Sequence, residues 1–392
     1  MDVLLSSVQN YGWGDPTFIP ELQRRRPTGE PEAELWMGAH PKAPSILRRS
    51  SVGLDVHIAD DPATALGTAE RFGELPFLKK ILAAAQPLSI QTHPDASRAA
   101  EGFERENEAG IPLDSPTRTY RDPNHKPELI CALTPFHAKC GFRPVVETSE
   151  LFATLACNEI APLTDRLAAH GDDADVLAEL LQWLLGNQPD AAAELSNAVV
   201  RAAATVGDSP WNTEIEWSQR LQSLYPGDPG VVVALLLNHF VLAPGEALFL
   251  DAGVLHAYVE GAGVEIMANS DNVIRGGLTP KHVDIAELAE VVDTKPIDPP
   301  VQRPLTQEHT YDTPVDEFSL TRLVLDEGGY EATVHGPEIL IASDGRFQLD
   351  AGHDQVTIDP GTPVWIDAVD GSWTAEGHGT LFRASVPATS PG

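Results

Sequence analysis

The sequence predicts a mainly β fold with an α insert: two related barrels, the second degenerate, and a small helical domain set into the first. Three observations predict it. From Leu4 to about Arg143, and again from Gly230, short apolar runs alternate with Gly, Pro and Asn, as strands joined by tight loops do. Between about Val145 and Pro226 the text changes to Ala, Leu, Glu and Gln, as in DADVLAELLQWLLG and AAAELSNAVVRAAA, with apolar residues at helical spacing. Finally, PGEALFLDAG at 244–253 recurs as PGTPVWIDAV at 360–369: a Pro-Gly turn, apolar residues, then Asp-Ala.

The elements follow in chain order. Residues 1–144 and 230–300 read as one β-rich unit, the second part carrying VVVALLLNHFVL, ALFLDAG, LHAYVEG and GVEIMA as strand-like runs. Residues 145–229 form the helical insert, with Asp190 and Asp208 near helix starts and Gly186 near a helix end. A Pro-rich joint at 293–304 leads into a last β-rich unit, 301–392, whose Pro/Ser tail is expected to fray. Where the first copy of the repeat continues to His256, the second has Ser372, so metal-binding capacity is expected in the first barrel alone.

Composition narrows the partners. At 392 residues, 42% of them apolar, the chain has material for two or three domains. Against 58 acidic residues stand 26 basic ones, a net charge of −32, whose field repels nucleic acid and anionic membranes. An anionic substrate would require a local collection of cations. Cys131, Cys140 and Cys157 are too few and too oddly spaced for a disulfide framework or a zinc finger, and point to a reducing compartment. The first residues lack the basic start and apolar stretch of a signal peptide, and the longest apolar run, Val231–Ala243, is too short to span a bilayer. A cytoplasmic protein is expected.

The chemistry concentrates at a few positions. In PLSIQTHPD, Ser89, Gln91 and His93 share one strand face by the two-residue period, a polar face beside Leu88 and Ile90. NHKPELIC places His125, Lys126 and Glu128 before another apolar strand. GEALFLDAGVLHAYVEG spaces Gly245, Asp251, Gly253 and His256 as the second cupin motif does, with Asp251 replacing its Pro and Glu260 its Asn. Two imidazoles, a carboxylate and an amide oxygen suit a divalent first-row metal with an open position, but do not by themselves separate zinc from iron, manganese or cobalt. Tyr258, two residues beyond His256, falls on the same strand face.

At these residues the chain resembles type I mannose-6-phosphate isomerases. The likeness runs through YGWG (11–14), ELWMGAHPKAPS (34–45), PFLKKILAAAQPLSIQTHPD (76–95), NHKPELICAL (124–133), KCGFRP (139–144) and LHAYVEGAGVEIMANSDNVIRGGLTPKHVD (255–284). The resemblance implies a cupin-like fold and one zinc per chain on Gln91, His93, Glu128 and His256. It implies interconversion of mannose 6-phosphate and fructose 6-phosphate, with Arg275 as the active-site arginine and Ser89, Lys126, Tyr258, Glu265, Asp271 and Lys281 in the pocket. An aldose–ketose shift needs a group to move a proton between C2 and C1, positive charge beside the enediolate, and a phosphate anchor. Arg275 stays protonated and so supplies charge, not proton transfer; Ser89, Lys126 and Lys281 are the substrate contacts. Glu265, Asp271, Tyr258, Lys126 or a metal-bound water could move the proton, with Asp271 and Lys126 favoured. The partner is then a small sugar phosphate, the protein a monomer or weak homo-oligomer, and the rivals are an iron-dependent cupin oxygenase and a non-enzymatic sugar-binding cupin.

Overall fold

A computed structural model describes residues 1–155, 157–168, 171–326 and 328–387; the Pro/Ser tail lies mostly outside them. Two antiparallel sheets and a helical layer make up the fold. The first sheet centres on the long strand His256–Ala268, which changes partners along its length. Its opening residues pair with Phe136–Phe142 and Gln91, and from Gly261 onward it pairs with Phe77–Ala84 and Glu128–Ala132. The switch is made by a register shift between Tyr258 and Glu260, followed by Gly261 at φ +128°. A bulge and a glycine let one strand turn the corner between two faces of a barrel.

The second sheet repeats this plan. Its long strand, Ser372–Ser385, pairs first with Gly329–Thr333 and Arg346–Asp350, then with Ser319–Leu325 and Glu338–Ala342. Gly377 and Gly379, both at positive φ, stand at the switch. The recurring sequence therefore marks recurring structure. Gly245 and Gly361 both adopt left-handed turns, Ala247–Leu250 and Val364–Ile366 are the strands that follow, and His256 and Ser372 each open a long strand.

Alternation divides the strand Phe77–Ala84 between two cores. Phe77, Ile81 and Ala83 join Ile339, Ile341, Trp365 and Phe382 in an apolar layer between the sheets, while Leu82 and Ala84 join the barrel interior with Ile130, Phe136 and Tyr258. Adjacent Lys79 and Lys80 thus point to opposite sides. Lys79 is fully buried between the sheets, donating from Nζ to the carbonyls of Ile339 (3.0 Å) and Phe382 (2.8 Å). With no carboxylate beside it among the described residues, burial pushes its pKa well below 10.5. Just below pH 10.5 the unfolded chain therefore binds a proton that the native chain does not. Stability should rise with pH there, by about 1.4 kcal/mol per unit from this group, and be lost as pH falls. Lys79→Met is expected to remove that slope in denaturant titrations across this range; equal slopes in the two proteins would refute it.

Strand pairing and local structure depart from the expected reading at several places. Asp2–Leu5 pairs with Val364–Ile366, so the N-terminus belongs to the second sheet, and Val301–Gln302 pairs with Ala247–Leu248 in the first. Ala96–Glu108, inside a region read as strands, is a helix capped by the Asp95 side chain on the Arg98 N–H (2.7 Å). Gly230–Leu236, read as the start of a strand, is also a helix, and only Leu237–Leu242 is extended. All seven residues of that helix are buried, so it has no polar face, and hydrophobic period does not separate it from a buried strand.

The insert is helical from Val145–Leu155 through Asn212–Leu224, with Gly186 ending one helix and Asp190 in the first turn of the next. Its core is continuous with the first barrel through Phe142, Leu255, Ala257, Ile274 and Leu278. The cysteines are unpaired, with Cys131 and Cys140 buried. Among the described residues no helix is long and apolar enough to cross a membrane.

Candidate active site

Register builds the site. The short strand Ile90–Thr92 lies between two others, with Gln91 directly opposite His256 on one side and Arg275 of Ile274–Gly277 on the other. Residues opposed in an antiparallel pair stand on the same face with Cβ atoms about 4.5–5.5 Å apart, so His256, Gln91 and Arg275 form a row. His93 follows Gln91 by two residues, and the Gly253 N–H holds its carbonyl (2.9 Å). Glu128 opens the neighbouring strand opposite Met267.

His93, Glu128 and His256 converge. The His93 Nδ1 meets the Asn272 carbonyl at 2.8 Å, and the His256 Nδ1 meets the Val254 carbonyl at 2.9 Å. A carbonyl only accepts, so each Nδ1 carries the hydrogen and each Nε2 is left with a free lone pair. Those Nε2 atoms lie 3.4 and 3.7 Å from Oε1 and Oε2 of Glu128. Ligand atoms held about 2.0–2.2 Å from a tetrahedral ion stand about 3.3–3.6 Å apart, so the spacing fits a metal. Both Nε2 atoms and Glu128 Oε2 are buried with no hydrogen-bond partner among the described residues. An unsatisfied buried polar atom costs about 1–3 kcal/mol; three around one point are accounted for by a cation. Burial, aided by Lys126 at His93 and by His93 at His256, lowers both histidine pKa values, that of His256 to about 4, which keeps the rings neutral. Burial opposes the charge on Glu128, but the Lys126 ammonium (2.6 Å) outweighs it and holds the carboxyl well below its usual range. Among the described residues this is the one His/Cys/Asp/Glu group close enough to hold an ion.

Gln91 connects this centre to an open cleft of about 460 Å³, a volume within the range of small-ligand sites. Ser89, Arg275 and Lys281 line it, together with Lys42 and Arg121. Four cations therefore face a single lining carboxylate, Asp271, in a chain of net charge −32. Partial burial, then neighbouring cations, lower the pKa of Arg275 and Lys281. Such mutual repulsion is relieved by an anion. Asp271 is bound to Lys42 (2.7 Å) with His40 at 3.6 Å; burial opposes its charge, but these partners hold its pKa well below the usual carboxylate range.

The remaining expected residues lie behind the cleft. Lys126 sits on Glu128, Tyr258 is buried near His256 (ring centroids 6.0 Å apart), and Glu265 is paired with Lys80 (2.8 Å), its direct cross-strand neighbour. Burial raises the pKa of Tyr258 and of Glu265, the latter despite Lys80. His125, named with Lys126 and Glu128, turns away to Glu317 (2.7 Å). Sequence reading missed Lys42, Lys80, Arg121 and Asn272. Lys80 had a signal, since two adjacent lysines in an apolar strand must place one on each face. Lys42 stands inside ELWMGAHPKAPS and Arg121 three residues before NHKPELICAL, but nothing in either stretch tells that these side chains turn to the cleft. Asn272 is fully buried and accepts the backbone N–H of Arg121 (2.7 Å) while its own carbonyl receives His93, so it couples cleft to metal centre.

A family model, phosphomannose isomerase type I, catalytic domain, matches residues 1–145. The mannose-6-phosphate isomerase of Escherichia coli is 41% identical over 396 residues, covering 98% of this chain and 99% of its own. The chain belongs to the type I phosphomannose isomerase family. Mannose-6-phosphate isomerase 2 of Arabidopsis thaliana is 35% identical, covering 92% of this chain and 87% of its own. Among solved structures of the family, the apo mannose 6-phosphate isomerase of Salmonella typhimurium aligns with a TM-score of 0.90 at 38% identity, covering 99% of both chains. A zinc-bound mannose 6-phosphate isomerase aligns equally, also at 0.90 and 38%. Gln91, His93 and Glu128 fall within the matched catalytic segment, whereas His256 and Arg275 come from beyond it.

Proposed function

We propose that this phosphomannose isomerase interconverts mannose 6-phosphate and fructose 6-phosphate, with one zinc per chain held by Gln91, His93, Glu128 and His256. The observation that carries the reading is the triad of partnerless ligand atoms beside a cleft walled by four cations. The bound ion would supply Lewis acidity toward sugar oxygens. Arg275 and Lys281 hold the phosphate end and the developing enediolate charge, aided by Arg121 and the Ser89 hydroxyl.

Proton transfer belongs to the groups buried beside the metal ligands: Lys126, Glu265 and Tyr258. Asp271 was favoured for this role from sequence, but a carboxylate held so low by Lys42 is a poor proton acceptor, and it is assigned instead to ordering the cleft rim. Dioxygen chemistry would have no use for the four cations. A cytoplasmic location and a monomer or weak homo-oligomer complete the proposal, as do three units at 1–144 with 230–300, 145–229 and 301–392, with the strand exchanges described above.

A coupled assay should show turnover of mannose 6-phosphate that a chelator abolishes and added zinc restores. Turnover unaffected by complete metal removal would overturn the metal's part, and no turnover by the zinc-loaded protein would overturn the function.

A further inference from the structure

We infer that Asp228, where the helical insert returns to the barrel, is a positioning residue for the cationic loop Arg275–Lys281; the inference rests on the reading of that loop as the phosphate-end contact. Its carboxylate accepts three backbone N–H groups. Oδ1 takes Gly230 (2.7 Å) and Leu278 (3.1 Å), and Oδ2 takes Thr279 (3.1 Å). Two of these donors lie in the loop, midway between the two cations.

The loop needs such a tether. Leu278 sits at φ +53°, in the left-handed region that branched-chain residues disfavour, directly after Gly277 at φ +130°. Its side chain is nevertheless buried in the insert's core. Here the two segments touch backbone to backbone: a Cβ on Gly230 would stand 2.4 Å from the Leu278 nitrogen, and one on Gly277 would stand 2.6 Å from the Gly230 Cα. Arg275 and Lys281 each lie three residues from Leu278, so its unusual turn sets the direction from which both enter the cleft. The insert grips the opposite wall as well. Tyr225, which lines the cleft, donates its hydroxyl to the Pro87 carbonyl (2.8 Å), just before Ser89 and Gln91. The Asp228 carbonyl is in turn held by Ser196 of the helix Pro189–Ala203 (3.1 Å). The segment Tyr225–Gly230 thus bridges both walls of the site.

A purely structural cap on the helix Gly230–Leu236 would affect stability alone, whereas positioning affects anion binding. The test compares zinc-loaded wild type, Asp228→Ala and Asp228→Asn for kcat, KM, zinc content and the dissociation constant of inorganic phosphate. Asp172→Ala, which removes an ordinary cap from the insert helix Asp173–Gly186, is the control. Losing a carboxylate that accepts several N–H bonds should raise both KM and the phosphate dissociation constant about tenfold in Asp228→Ala. Zinc should stay at one per chain. Asp228→Asn, which keeps one acceptor oxygen and carries the test if the alanine variant does not fold, should fall between. The inference is overturned if KM and phosphate affinity stay within about twofold of wild type in the folded variants, if Asp172→Ala weakens phosphate equally, or if wild type binds no phosphate. If wild type binds phosphate but turns over no sugar phosphate, the functional reading fails, and phosphate titration still decides the role of Asp228.

Discussion

His93→Ala is expected to remove zinc and turnover together. The imidazole is one of three buried groups whose ligand atoms meet around a single point, and its Nε2 has no hydrogen-bond partner among the described residues. Its orientation is set from behind by the Asn272 carbonyl. Removing it leaves His256, Glu128 and the neutral Gln91, with Glu128 still held by Lys126 (2.6 Å). Loss of one of four ligands from a zinc site with an open position leaves too few to hold the ion at ordinary free concentrations. The protein should also melt lower than the zinc-loaded wild type, since a ligand bound only by the native state stabilises it. Metal analysis and the coupled assay on the same preparation check this. A metal-free His93→Ala protein with wild-type turnover would refute the assignment.

Arg275→Ala should lower kcat by about 10²–10³ while zinc stays bound, the usual effect of losing one preorganised donor to developing negative charge. The structure strengthens this expectation. Asp271, the nearby carboxylate in the same motif, is bonded to Lys42, and Arg275 has no ion-pair partner among the described residues. It stands in register with Gln91, half-buried, with Gly276 and Gly277 following, and is repelled by Arg121. A guanidinium held without a counterion beside a cleft is set for an anion that arrives from outside. Arg275→Lys should recover little, because a point charge does not reproduce the planar fork. If kcat in the zinc-loaded alanine variant stays within about threefold of wild type, less than 1 kcal/mol of barrier, Arg275 does not act on the transition state.

The two predictions rest on different parts of the chain's legibility. Gln91 and His93 were readable because a two-residue spacing on a strand puts both on one face, and His256 because a glycine-punctuated motif projects it from a strand start. Such local rules survive folding, since they depend on backbone periodicity alone. The repeat at 244–253 and 360–369 was readable for the same reason, and its two copies lead to His256 and Ser372, each at the start of a long strand.

Other features depend on neighbours that a one-dimensional pattern does not name. Burial on every side left Gly230–Leu236 without the polar face that would have marked it as a helix, where its composition suggested a strand. Pairing with residues more than 350 positions away carried Asp2–Leu5 into the second sheet. The charged state of Asp271 is held by His40 and Lys42, residues far from it in the chain. The sequence by itself determined the family and pointed to the candidate metal ligands and the arginine, because each is written in contiguous motifs. Only the tertiary structure decided which carboxylate stays charged, which lysines face the site, and that Asp228 of the insert holds the loop. Those properties arise from charges and hydrogen bonds between segments that meet only when the chain is folded.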